Sequence, residues 1–392
     1  MKKVFLKPNK QESIQRNHPW IFSGAIAKAD EGIEEGDLVE VFDASGQKIA
    51  TGHYQIGSIA VRILDFGAKP MAENLLYERI CNAFNLRENL NLIREDNNCY
   101  RLVHGEGDFL PGLVVDIYGD TAVIQAHSAG MHFERYKIAE ALVNIPHAGI
   151  RNVYYKSDTT LPYKANLDPR NDYLIGNFNG GEAVENGLVF NIDWLKGQKT
   201  GFFIDQRENR MLLEKYAKQK NVLNMFCYTG GFSVYAMRGG ALRVDSVDSS
   251  AKATAITEAN IKINFPGDDR HSTFTEDAFK FLDNVLLGQY DLIILDPPAF
   301  AKHRGTIKNG LIGYRKLNYK AFQKIKKGGT IFSFSCSQAI TKDMFRMAVF
   351  TAAIQAGRKV RILHQLTQPA DHPVDIAHPE GEYLKGLVLY VE

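Results

Sequence analysis

The feature that most constrains the fold is the order of apolar runs between residues 221 and 391. Short runs at 221–226, 243–247, 272–275, 291–295 and 330–335 alternate with helical patterns that begin near 232 and cover 251–263, 278–286, 314–326 and 342–356. Parallel neighbours in a sheet need a crossover, usually a helix, so this alternation predicts an α/β domain with a doubly wound, mainly parallel sheet. Two last strands are expected at 360–366 and 384–391. The opening 70 residues read differently. Period-two alternation at 37–42, 48–54 and 59–64, punctuated by Gly36, Gly46, Gly52 and Gly57, predicts a small β-barrel. Between these lies an α+β pattern. A helix is expected within 71–95 (Leu75, Leu76, Ile80, Phe84 and Leu90 at helical spacing), then strands at 100–103, 113–117 and 122–125, a helix near 132–143 and a strand at 151–155. The expected domains are therefore 1–70, 71–187 and 188–392.

Composition narrows the function classes. With 45% hydrophobic and 23% charged residues in 392, a disordered chain is excluded. No apolar run reaches membrane length and MKKVFLKPNK carries no leader-like core, so the expectation is a cytoplasmic chain without a membrane span. Cys81, Cys99, Cys227 and Cys336 form no C-x-x-C pair, which leaves no disulfide framework and no metal spacing. The charge distribution is uneven. Residues 1–70 are neutral, 71–187 carry 10 basic and 16 acidic side chains, and 188–392 carry 28 basic and 20 acidic. Lys302, Arg304, Lys308, Arg315, Lys316, Lys320, Lys324, Lys326 and Lys327 fall in one window with no Asp or Glu, and Tyr314, Tyr319 and Phe322 are interleaved. Such a window suits a polyanion with stackable bases, or else a solvated helix face over core aromatics.

Four segments carry chemistry. Val222–Ser233 (VLNMFCYTGGFS) reads as strand, glycine turn and helix, with Asp248 at the next strand end; glycines admit a ligand to the backbone and a strand-end acid can accept ribose hydroxyls. A strict G-x-G-x-x-G is absent, so a nicotinamide site is poorly supported. Leu295–Phe300 (LDPPAF) fixes Asp296 at the carboxyl edge of the sheet, because prolines cannot continue a ladder. Phe332–Ile340 (FSFSCSQAI) puts Cys336 at the following strand end, where a thiolate could add to carbon 6 of a pyrimidine and make carbon 5 nucleophilic. A small buried cysteine is the plain alternative. Gln198–Arg210 (QKTGFFIDQRENR) admits a cofactor lid, a substrate edge or, at Asp205, a helix start.

The glycine turn with LDPPAF resembles the class I S-adenosylmethionine-dependent methyltransferases. That resemblance implies that the turn faces the methionine part of the cofactor, Asp248 the ribose and Asp277 the adenine, with Asp-Pro-Pro facing the target base. Many amino-methylating relatives have an aromatic residue directly after the second proline; here it is Ala299, with Phe300 one later. NHPWIFSGAI (17–26), LPGLVVDIYGD (110–120), TGFFIDQRENR, LNMFCYTGGFSVYA, LDPPAFAK, FSFSCS and DHPVDIAHPEGEYLKGL (371–387) extend the likeness along the chain. Together they resemble the bacterial large-subunit ribosomal RNA cytosine-5 methyltransferase family, which joins a PUA domain, a central EEHEE domain and a Rossmann-like methyltransferase domain.

The resemblance implies methyl transfer from S-adenosyl-L-methionine to a cytosine of 23S rRNA, free or in a large ribosomal subunit precursor. Cys336 would be the nucleophile and Asp296 would bind the base. The implied cofactor set is Phe203, Asp205, Gln206, Arg207, Asn224, Phe226, Tyr228, Thr229, Gly230, Asp248, Ser249, Asn260, Asp277 and Asp296. RNA contacts are expected at Lys302, Arg304, Arg315, Lys316, Lys320 and Lys324, no metal is expected, and a homodimer is left open. Pro298 and Ala299 stand where related RNA enzymes often carry a second cysteine, so the base that removes the carbon-5 proton is unassigned. Two other readings stand beside this one: an N-methyltransferase acting on an exocyclic amine, and a non-catalytic ribosome-assembly factor. His372 and His378 read as loop histidines or a metal pair.

Overall fold

The computed structural model describes residues 1–162, 167, 170–177 and 180–392. Its contacts divide the chain into two units: 1–187 with 192–204 and 370–381, and 188–191 with 205–369 and 382–392.

The first unit opens with β1 (Lys2–Leu6), α1 (Glu12–Gln15), β2 (Trp20–Phe22), β3 (Ile26–Ala29), β4 (Leu38–Phe42), β5 (Lys48–Tyr54) and β6 (Ile59–Phe66). They form one six-stranded sheet in the order β2-β6-β5-β4-β1-β3. Val4, Leu6, Val39, Val41, Val61 and Ile63 fill its core. The last three strands fall where alternation placed them, whereas β1–β3 hold only five, three and four residues, too few to show a period. The chain continues through α2 (Leu75–Asn89), β7 (Cys99–His104), β8 (Leu113–Tyr118), β9 (Thr121–Ala126), α3 (Ala129–Phe133), α4 (Arg135–Val143), β10 (Asn152–Tyr155) and β11 (Asp172–Ile175). Here the sheet order is β11-β10-β9-β8-β7. The helix expected near 132–143 is two helices that meet at Glu134. β12 (Gly181–Glu185) and β13 (Leu188–Ile192) follow, with 188–191 counted in the second unit and 192–204 back in the first.

Residues 192–204 and 370–381, which sequence reading put in a C-terminal domain, pack with the first unit. A buried polar lattice accounts for this. Arg87, fully buried on α2, donates Nη2–H to Asp108 Oδ2 (2.8 Å) and to the Asp371 carbonyl (2.7 Å), and Nε–H to the Arg101 carbonyl (2.8 Å). Arg101 grips Asp116 at 2.7 and 2.9 Å, its backbone N–H reaches Asp371 Oδ2 (3.0 Å), and Thr200 donates to Asp116 Oδ2 (2.6 Å). Buried charges demand partners. These arginines find their carboxylates 21 and 15 residues away, and the lattice they form then holds Asp371 and Thr200 from far along the chain.

The second unit contains α5 (Arg207–Ala217), β14 (Asn221–Met225), α6 (Gly231–Arg238), β15 (Arg243–Asp248), α7 (Ala251–Asn264), β16 (His271–Thr275), α8 (Ala278–Asn284), β17 (Leu292–Leu295), α9 (Ile307–Lys324), β18 (Gly329–Ser335), α10 (Lys342–Gln355), β19 (Val360–Leu366) and β20 (Lys385–Val391). The sheet runs β16-β15-β14-β17-β18-β20-β19. The first five strands are parallel, and β20 pairs antiparallel with both β18 and β19. Leu223, Met225, Ile293, Leu295 and Ile331 pack against Leu317, Phe322, Phe345 and Val349 from α9 and α10. Strand order reverses between β14 and β17, where open α/β sheets bind ligands beyond their carboxyl ends.

Arg87→Ala is expected to destabilise the protein by about 3–5 kcal/mol, because it strands the buried Asp108 carboxylate. Urea unfolding against the wild type measures this.

Candidate active site

Four strand ends converge on the switch point. After β14 the backbone turns sharply: Phe226 (φ 61°), Tyr228 (φ 48°) and Gly230 (φ 78°) all take left-handed conformations. Two of the three are not glycine, a strain that persists only where surroundings over-determine it. Here they do. Cys227 N–H donates to the Val247 carbonyl (3.1 Å), Tyr228 N–H to Asp248 Oδ2 (3.0 Å) and Gly230 N–H to the Cys227 carbonyl (2.8 Å). Thr257 Oγ1 donates to the Tyr228 carbonyl (3.0 Å) and Asn260 Nδ2 to the Thr229 carbonyl (2.8 Å). A Cβ on Gly230 would meet Thr257 Cγ2 at 2.6 Å.

Asp248 ends β15 half-buried, and its Oδ1 accepts the Ser250 N–H (2.9 Å). One backbone donor on each oxygen leaves lone pairs for a diol. Asn224 is buried, with Nδ2 on Ser233 Oγ (2.8 Å) and Oδ1 without a partner among the described residues. A bare glycine turn beside a strand-end carboxylate and a buried free acceptor fits a nucleoside-linked donor. Cys227 belongs to the turn's packing: its Sγ lies 3.5 Å from Thr257 Oγ1, and burial pushes its thiol up to about 12.

The reacting edge lies at β17 and β18. Pro297 and Pro298 have no N–H to extend the ladder, so β17 stops at Leu295 and Asp296 projects beyond it. Asp296 Oδ2 accepts from Gln206 Nε2 (3.0 Å), and Gln206 Oε1 accepts from Asn209 Nδ2 (2.7 Å). Leu295 is the register partner of Ser333, so Cys336 emerges beside the proline segment with Sγ 3.9 Å from the Pro297 carbonyl. Cys336 is half-buried, unlike its flanking serines, which are fully buried. Ser337 is pinned from three sides: its Oγ lies 2.8 Å from Tyr314 Oη and accepts the Ala301 N–H (3.1 Å), and its carbonyl accepts from Lys385 Nζ (2.7 Å).

Several residues of the implied cofactor set have partners within the protein. Asn260 is fully buried and spends its amide on Thr229 and on Asn191, whose N–H it accepts at 2.8 Å, so it braces the turn. Asp277 caps α8 with Oδ1 on the N–H groups of Phe279 and Lys280 (both 3.0 Å), leaving its other oxygen outward. Asp205 lies in the turn ahead of α5, and its Oδ2 accepts from Tyr383 Oη (2.8 Å). Phe203 belongs to the 192–204 segment of the first unit, with the Lys199 ammonium 5.2 Å from its ring. Arg207 is buried, Thr229 is buried and Ser249 is exposed.

The basic window divides. Its helix starts at Ile307, a turn and more before 314. Lys320 pairs with Asp283, Lys324 donates to the Asp283 and Val285 carbonyls (3.0 and 2.7 Å), and Lys316 lies over the Phe279 ring. These three lysines hold α8 and the turn after it. Tyr314 and Phe322 are core. Lys302, Arg304 and Lys308 remain exposed and make no salt bridge among the described residues, and Arg315 is half-exposed.

His372 and His378 do not form a pair. His372 sits on Asp371 Oδ1 (3.0 Å) and tilts against His104, whereas His378 packs edge-on to Trp20 near His18 and Glu380. The Glu380 carboxylate lies 3.6 and 3.8 Å from the His18 and His378 imidazoles, so each of the three offers one ligand atom to the same space.

A parallel sheet with a strained glycine turn, a strand-end acid and a reactive edge at its switch point defines a nucleoside-cofactor transferase of the Rossmann-like class. The family model of S-adenosylmethionine-dependent methyltransferases matches residues 155–387, and that of the PUA-like domain matches residues 4–66. A ribosomal RNA large subunit methyltransferase I from Tolumonas auensis is 36% identical over 98% of both chains, and one from Alteromonas mediterranea is 37% identical over 99% of this chain and 98% of its own. In fold, a Streptococcus mutans protein described as a SAM-dependent methyltransferase superposes with TM-score 0.83 at 21% identity, covering 100% of both chains. The chain belongs to the S-adenosylmethionine-dependent methyltransferase family, with an N-terminal PUA-like domain, and its methyl donor is S-adenosylmethionine. No helix among the described residues is long and apolar enough to cross a membrane.

Gly230→Ala is expected to weaken S-adenosylmethionine binding about tenfold, since a Cβ there meets both the left-handed penalty and Thr257. Titration calorimetry reads the loss.

Proposed function

We propose that this enzyme methylates carbon 5 of a cytosine in 23S rRNA through a covalent bond to Cys336. The observation that carries the reading is the half-exposed Cys336 sulfur beside the Asp296-Pro297 edge. The relatives' names supply the ribosomal RNA class. S-adenosylmethionine, when bound, supplies the methyl group. The Cys336 thiolate adds to carbon 6, forming the S–C bond and moving the ring electron pair onto carbon 5. Asp296, steadied by Gln206, hydrogen-bonds the ring nitrogen or amino edge and favours that addition. Once carbon 5 carries the methyl group, loss of its proton restores the ring and expels the thiolate. The base must be unpaired or flipped out to reach this edge. Ala299 in place of an aromatic platform argues against amino-group methylation.

Cys336→Ala is expected to abolish 5-methylcytidine formation on unmodified 23S rRNA, read by mass spectrometry of digested nucleosides, while S-adenosylmethionine still binds. Undiminished methylation would overturn the thiol mechanism. A methylated amine in the digest would replace it with N-methylation, and binding without transfer in the wild type would favour an assembly factor.

The RNA surface is proposed at Lys302, Arg304, Lys308 and Arg315, members of the window with no salt bridge among the described residues. Neutralising the first three should reduce the salt slope of rRNA affinity by about 2, at roughly 0.7 per phosphate contact on single strands. Replacing Lys320 and Lys324 should lower thermal stability instead.

A further inference from the structure

Lys385 opens β20, and its register partner on β18 is Ser335. The strands meet closely at this end: a Cβ on Gly386 would strike the Phe334 ring at 2.6 Å. The tight approach lays the Lys385 side chain across the turn that begins at Ser335. Its Nζ crosses that turn and donates to the Ser337 carbonyl at 2.7 Å, so it is anchored on one side of Cys336 by register and on the other by a hydrogen bond. The side chain is buried, at 6% exposure, and makes no salt bridge among the described residues. Burying an ammonium is costly unless an anion faces it. A carbonyl satisfies one of its three donors and supplies no countercharge.

The ionisable groups around this ammonium are few. Lys342, at the start of α10, and Glu382 bond each other at 2.6 Å and largely cancel. The charges that act on it are those of Cys336, Lys342 and Glu382, and neither Tyr314 nor Asp296 is among them. Cys336 is what remains.

We propose that Lys385 is the positioning cation of the Cys336 nucleophile, its ammonium supplying the countercharge that holds the sulfur as a thiolate. This rests on the thiol-addition reading above. Ionisation sends the thiol proton to solvent and changes no other bond. Burial lowers the Lys385 ammonium to about 8, and Cys336 acts in the opposite sense, raising it. By linkage the same interaction must favour the ionised sulfur. The antiparallel pairing of β20 with β18 is what brings Lys385 to the nucleophile's turn.

The test is alkylation of the full-length protein by iodoacetamide from pH 6 to 9, quantified on the Cys336 peptide by mass spectrometry. The half-exposed Cys81 serves as an internal reference. In the wild type, half-maximal alkylation of Cys336 is expected below pH ~8.5, the value of an ordinary thiol; a midpoint at or above it overturns the proposal. In Lys385→Met the midpoint should rise by about one unit and the neutral-pH rate fall about five- to tenfold, with Cys81 unchanged. Lys385→Arg, which keeps the charge, should recover most of the rate. An unchanged Cys336 profile in a Lys385→Met variant that still binds S-adenosylmethionine overturns the proposal, and because the wild-type midpoint needs no variant, misfolding cannot shelter it. The outcomes separate cleanly: methylation by Cys336→Ala would remove the thiol mechanism without touching the alkylation result, and an unchanged profile would remove Lys385 alone.

Discussion

The pairing of β17 with β18 is the constraint on which the reacting edge depends. Two parallel strands in register must end at the same side of the sheet, and each here ends abruptly for a local reason. Proline stops β17 at Leu295, and the Ser335–Ser337 turn stops β18. Asp296 and Cys336 are thereby delivered side by side from segments forty residues apart, without help from any loop of their own. Neither side chain has to search for the other.

The rest of the site is built to keep that edge stiff. Ser337 is bonded by Tyr314, Ala301 and Lys385, each from a different element, so the residue after the sulfur has no freedom to drift. The glycine turn is held in the same fashion, with Thr257 and Asn260 of α7 bonding carbonyls that would otherwise be orphaned by its left-handed residues. Preorganisation of this kind lets binding energy act on the reaction rather than on ordering the protein. It also explains why residues that look like ligands in the motif, Asn260 above all, are occupied by backbone.

Local chemistry made much of this legible. The turn after β14, the acid after β15, the proline stop and the cysteine turn were each readable because glycine, proline and strand-end residues act within a few positions of themselves. The apolar runs of β14, β17 and β18 identified the sheet for the same reason. What could not be read was partnership. Lys316, Lys320 and Lys324 sit in an unbroken basic run, yet they bond α8 and the turn after it, whose carboxylate and carbonyls lie some forty residues upstream. A charge count has no means of knowing which cations are already spent. Lys385 was passed over because one lysine in a strand carries no pattern.

The amino-acid order by itself determined the alternating sheet, its ligand-binding edge and the residue types placed there, since these follow from hydrophobic period and backbone stereochemistry acting over short range. Only the tertiary structure decided that 370–381 rejoins the first unit, that Asn260 serves the backbone, and that a buried ammonium lies behind Cys336. Those outcomes turn on burial, which forces each polar group to find a partner anywhere along the chain, and sequence separation says nothing about where that partner will be.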